Sequence, residues 1–120
     1  MDWALVGLTP EEVLRVLYID WDWWLCVSGG TRLPLDAGAW IRADEVPGST
    51  ADSHEPIAAR LRTDDPPPEL IVASTPDLAR LVALEGHVRL TAYALFPEYL
   101  PEELAVFLGA SEDMESWALY

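Results

Sequence analysis

The sequence predicts a small α/β (α+β) domain. Two short apolar runs, ELIVAS (Glu69 to Ser74) and LAVFLG (Leu104 to Gly109), have the length and composition of strands. Helical patterns with start signals lie between and before them, in LTPEEVLRVLY and GHVRLTAYALF. The chain has 120 residues, is 51% hydrophobic and holds six Trp, so it suits one domain (1–120) with a sizeable core. A domain of this size buries roughly two-thirds of the surface its unfolded chain exposes.

The first element is expected as a helix from about residue 10 to 19. Thr9 can cap it, Pro10 suits its first position, and Glu12 completes a capping box. Val13, Leu14, Leu17 and Tyr18 form its apolar face. In DWDWWLCVSGGTRLPL, Asp20 and Asp22 alternate with Trp21 and Trp23, and an apolar run leads to Gly29-Gly30. This reads as a strand, a tight turn and a second extended piece. SGGTR also has the makings of a small phosphate-cradling loop with Arg32 beside it. Residues 43–53 are a polar, turn-rich surface loop. HEPIAARLR follows as a short helix capped by Asp52 or Ser53, with Ile57 and Leu61 on one face and Arg60 and Arg62 nearby. TDDPPPE is an extended connector, because consecutive prolines cannot continue a helix. ELIVAS is a strand. ARLVALEG suits a strand or a helix by periodicity alone. GHVRLTAYALF is a helix that ends before Pro97, and LAVFLG is a buried strand.

Charge removes several functions. Net charge is −14, from 21 acids against seven arginines, and there is no lysine. A Walker A lysine, a Schiff-base lysine and a pyridoxal anchor are therefore absent. Neutralising a DNA duplex needs a basic face that this composition does not provide, so no direct DNA binding is expected. An acidic protein that caps a basic partner fits the charge, and so does a charge that serves solubility alone. His54 and His87 with one cysteine do not make a zinc site, and no metal-binding residues are assigned. Asp20 and Asp22 are secondary candidates for holding magnesium, against a solvated strand face. No apolar run reaches the ~20 residues of a membrane span, and no signal peptide is evident. Cys26 sits in an apolar run and reads as a buried thiol. A cytoplasmic protein is expected.

The most informative stretch is EGHVRLTA, Glu85 to Ala92. A strand-type run hands over to a helix through Gly86. The first N–H groups of a helix have no helical partner and carry partial positive charge. A glycine there lets an anion approach the backbone. Arg89 lies about one turn in and can clamp a phosphate with two hydrogen bonds. His87 can add a donor, and Glu85 beside the anion site is the candidate base. A purely structural use of all four residues explains the same letters.

With PIAARL and ELIVAS before this stretch and LAVFLG after it, residues 53–109 resemble the ParB/sulfiredoxin-like minidomain. That family is shared by ParB partition proteins, sulfiredoxin and free-serine kinases. The resemblance completes the fold expectation as a small mixed β-sheet with about three helices. It makes ARLVALEG a strand after a Thr75-Pro76-Asp77 turn, and leaves 1–52 as a Trp-rich helix-hairpin extension and 110–120 as a C-terminal tail. It implies that Gly86, His87 and Arg89 bind a nucleoside di- or triphosphate with Mg2+, or a small phosphorylated molecule, and that Glu85 and His87 are catalytic, in a kinase or nucleotidase. The departures are specific. The sulfiredoxin cysteine has no counterpart between Gly86 and Arg89, Val88 stands where related kinases often carry a second histidine, and no helix-turn-helix or Asn/Gln-containing nucleotide motif is present.

Trp21, Trp23, Trp24 and Trp40 crowd the N-terminal third. They suit a core and a covered sheet face, a stacking site for a base, or a partner surface, since Trp is enriched at binding hot spots. The alternative function is thus a non-enzymatic acidic interaction protein of the immunity type, with this region as its contact surface. A chain this small with this much Trp suits a homodimer or a subunit.

Overall fold

The computed structural model of the protein describes residues 1–63, 68 and 70–120. Most of the TDDPPPE connector lies outside the described residues. Among the described residues the architecture is a four-stranded mixed sheet with five α-helices, a small α+β fold. In chain order the elements are β1 (Asp2–Leu8), α1 (Pro10–Val13), α2 (Asp22–Val27), α3 (Pro34–Arg42), α4 (Ala51–Ala59), β2 (Ile71–Ser74), β3 (Val82–Glu85), α5 (His87–Leu95) and β4 (Leu104–Ala110). Strand order is β1-β4-β2-β3. β1 pairs with β4 and β2 with β3 antiparallel, whereas β2 and β4 are parallel.

The strands expected at ELIVAS, ARLVALEG and LAVFLG and the helix after Gly86 are all present. Val72, Ala83, Leu104, Val106 and Leu108 point from the sheet into one core with Ala37, Ile41, Ala58, Leu90 and Tyr93 from the helices. α5 is its centre: Leu90 to Leu95 are all buried. α3 packs against α5 at Gly38, which faces Leu95. Arg42 donates to the Ala94 and Leu95 carbonyl oxygens at the C-terminal end of α5, where helical carbonyls lack partners.

The N-terminal third departs from expectation in several places. β1 was not foreseen, and it makes the first residues part of the sheet. The helix expected over 10–19 stops at Val13 even though its capping box forms. Residues 16–19 are instead extended. Val16 and Tyr18 alternate with Leu17 and Ile19 between two apolar clusters, and Leu17 bonds to the outer edge of β3. Sheet-edge hydrogen bonds and two-sided burial outweigh a helical pattern of this length. The strand and hairpin expected around Trp21 to Gly30 are a helix, α2, and its end. Gly29 and Gly30 take positive φ (70° and 93°), and the Gly30 N–H reaches back to Leu25 O at 2.7 Å. The glycine pair is a helix stop. TRLPL is the entry to α3, with Pro34 in its first turn, and not a second strand. α4 starts at Ala51 under a Thr50 cap, before Asp52 or Ser53. Cys26 is exposed because helical geometry turns it outward while Val27 is buried.

Residues 110–120, expected as a tail, cover part of the sheet's second face. Met114 and Tyr120 join Ala73 and Val82 in a second cluster. The Tyr120 hydroxyl accepts from Thr75 N–H (3.1 Å) and donates to Arg80 O (2.8 Å). No helix among the described residues is long and apolar enough to cross a membrane.

Candidate anion-binding site

β3 ends at Glu85, Gly86 reverses the chain and α5 begins at His87. Gly86 has φ 95° and ψ 26°, a left-handed conformation that disfavours any side chain. The turn lets the helix axis start directly at the sheet's end. The first N–H groups of a helix lack partners within it, and here the Leu90 N–H bonds Gly86 O (2.9 Å) across the turn.

In front of this turn is an open depression of about 400 Å³. Glu85, Gly86, His87, Val88 and Arg89 line it, together with Ile57 and Arg60 from the end of α4 and the turn after it. Four expected site residues, Glu85, Gly86, His87 and Arg89, therefore share one concave surface. Arg60 was seen in the sequence only as a charge near Ile57. Its spacing of three from Ile57 on a helix is the signal that puts both on one face. Arg60 and Arg89 each have interactions within the protein, so an incoming anion joins an existing network.

His87 is used differently from a simple phosphate donor. Its ring stacks on Trp24 (centroids 5.0 Å apart), which stacks on Tyr18 (4.5 Å). Its Nε2 accepts from the Ile19 N–H at 3.3 Å, which puts the ring proton of the neutral imidazole on Nδ1. Burial lowers the imidazole's pKa below the usual histidine range, against an opposing pull from the Glu85 carboxylate. A neutral ring follows at pH 7. Behind it, the Tyr18 hydroxyl bonds Thr91 Oγ1, which donates to His87 O (2.9 Å). Burial raises the Tyr18 pKa, so that phenol stays protonated. His87 lines the depression while its ring is held in this stack.

The other candidates lie elsewhere. Asp20 and Asp22 do not line the depression; Asp20 N–H bonds Leu119 O (2.8 Å), and Asp22 opens α2. Arg32 does not serve a phosphate loop. Its guanidinium donates to Tyr18 O (2.9 Å), Tyr120 O (3.2 Å) and Leu119 O (3.4 Å), tying the C-terminal segment to residues 16–19. Among the described residues, no group of three or more His, Cys, Asp or Glu side chains could hold a metal ion. No family model matches the chain, and neither a curated protein nor a solved structure matches it.

Proposed function

We propose that this protein is a ParB-like minidomain that binds the phosphate groups of a nucleotide, or of a small phosphorylated molecule, in the depression at the start of α5. The observation that carries the reading is the depression itself: it brings the start of a helix, a left-handed glycine and two arginines to one space in a molecule of net charge −14. Its volume of about 400 Å³ suits a nucleotide-sized ligand. Backbone N–H groups and the guanidinium groups of Arg89 and Arg60 take the phosphates, while Ile57 and Val88 give an apolar wall for sugar or base. Magnesium, if used, arrives bound to the phosphates, with Glu85 on the rim as the protein carboxylate nearest the anion. Kinase or nucleotidase chemistry needs a base at the same place, and Glu85 is that candidate as well. His87 positions the turn through its stack and its bond to Ile19 N–H.

The test is thermal unfolding with a panel of nucleotides and inorganic phosphate, with and without Mg2+. A ligand at a hundred times its dissociation constant adds about 2.7 kcal/mol, a rise in Tm on the order of 10 °C. Arg89→Ala should remove that rise and leave the unliganded Tm almost unchanged. No shift with any of these ligands rejects the proposal.

A second reading, an acidic interaction protein of the immunity type, is favoured by the exposure of Trp21 (57%), Trp23 (51%) and Trp40 (46%). Trp23 and Trp40 flank an apolar recess of about 250 Å³ with Val27 and Val46. Failure of every ligand above leaves this reading standing.

A further inference from the structure

The recess of about 250 Å³ beside the exposed tryptophans is built from three pieces of chain. α2 supplies Trp23, Cys26 and Val27, α3 supplies Trp40, and the loop after α3 supplies Glu45 and Val46. Val27 and Val46 are buried and make its base, while Trp23 and Trp40 remain about half exposed. A Cβ at Gly29 would sit 2.9 Å from Trp40 Nε1, so the glycine that ends α2 also makes room for that ring. Asp44, at φ 59°, turns the chain at the end of α3. The Glu45 N–H then bonds Trp40 O at 3.0 Å, and this brings Glu45 to the recess beside the ring.

The electrostatics of this space have one sign. Among the described residues that line it, Glu45 alone is charged and no arginine is present. The whole chain carries −14. Indole faces are electron-rich, so a cation held against them beside a carboxylate is attracted by both. An anion meets only repulsion here, and a neutral apolar molecule gains burial without using the field. The depression at α5, which is lined by Arg60 and Arg89, has the opposite character.

We propose that this recess binds a compact organic cation of the quaternary ammonium class, a free small molecule, with its methyl groups against Trp23 and Trp40 and its charge balanced by Glu45. Small-molecule sites usually run from about 300 Å³ upward, so about 250 Å³ suits a head group rather than a whole nucleotide. A methylated nitrogen also matches the lining. It spreads its charge over apolar methyls and brings no N–H donor that needs an acceptor. A primary ammonium is strongly hydrated and brings three donors, to a lining with one carboxylate. The recess shares no lining residue with the depression at α5, so this site stands apart from the phosphate reading and either can fail alone.

The experiment titrates choline and tetramethylammonium into the full chain and follows tryptophan fluorescence. The control is 3,3-dimethylbutanol, the uncharged carbon analogue of choline. Both cations should bind saturably in the millimolar range, and the analogue should bind about fivefold more weakly or worse. Trp23→Leu and Glu45→Gln should each weaken choline about threefold. Both residues are exposed, so these variants should keep the parent's circular dichroism. A second measurement needs no variant. Cys26 lines the recess and is the chain's single cysteine. Saturating choline should slow its alkylation by iodoacetamide, and the same concentration of NaCl should not. Absence of saturable binding by either cation, equal binding of the uncharged analogue, or unchanged alkylation of Cys26 under saturating choline overturns the proposal. Choline binding by a chain that no nucleotide or phosphate stabilises rejects the phosphate reading alone.

Discussion

The first turn of α5 has two sides. On the inner side, His87 is stacked on Trp24 and Tyr18, accepts a backbone hydrogen bond, and is held by the Thr91 bridge. On the outer side, Gly86, Arg89 and the helix's first N–H groups meet an open depression. Neighbouring residues of one short motif thus do opposite work: one anchors the turn to the N-terminal third, and the others present it to solvent. The difference teaches that stability and binding should separate cleanly by side. Inner-side changes should move the folding free energy. Outer-side changes should spare folding and act on the ligand, with Gly86 the exception because its backbone conformation belongs to both.

The largest effect is expected from Tyr18→Ala. Tyr18 is fully buried and is the inner member of the stack. Removing a large aromatic side chain from a core costs about 3–5 kcal/mol. Chemical denaturation reads it, and a loss below about 1 kcal/mol means that the stack is peripheral. Gly86→Val comes next. A left-handed residue with a side chain costs about 1–2 kcal/mol, and a β-branched one lies at or above the top of that range. The same substitution also narrows the approach to the N–H groups, so ligand-induced stabilisation should fall too. Tyr18→Phe is smaller, about 1–2 kcal/mol, since it keeps the ring but leaves Thr91 Oγ1 without the phenol donor.

The inner side also predicts a pH dependence. Burial holds His87 below its unfolded value near 6.5, so above that pH it is neutral in both states. As pH falls through 6.5 the unfolded chain takes up the proton first. Stability contributed by the neutral ring is therefore lost from about 6.5 downward, until the lower folded value is passed. Protonation also ends the acceptor role of Nε2 toward Ile19 N–H. His87→Phe keeps a ring to stack and cannot titrate. The stability of the parent minus that of this variant should decrease on acidification below 6.5. Parallel curves mean that the imidazole is not buried as described.

How much of this was legible in the sequence follows the same division. The turn at Gly86 and the helix after it are set by local signals: a glycine where φ must be positive, and a helical pattern ending before proline. The strand before them is not, because periodicity in ARLVALEG suits a helix as well and only the resemblance made it a strand. The uses of Trp24, Tyr18 and Ile19 are not local. They depend on residues 16–19 leaving a helical pattern to close the β3 edge, and on Gly29-Gly30 ending a helix where a hairpin turn reads equally well. β1 was missed because WALVGL lacks alternation; an edge strand with both faces largely exposed shows no two-residue period. Arg60 was visible as a residue but not as a site, because only the packing of α4 on α5 brings it to the depression.

The smallest stability effect, and the sharpest test of the comparison, is Arg89→Ala. Arg89 is half-buried at the depression's rim and has interactions of its own, so truncation is not silent. Surface substitutions outside the core still fall mostly within about 0.5 kcal/mol, far below the loss at Tyr18. If the outer side exists to hold an anion, the same substitution should remove the bulk of any nucleotide-induced rise in Tm, because a bidentate guanidinium–phosphate contact has no substitute at that position. Arg89→Lys should restore part of it, as a point charge without the fork. A large destabilisation in the absence of ligand, comparable to Tyr18→Ala, places Arg89 with the inner wall and dissolves the distinction between the two sides.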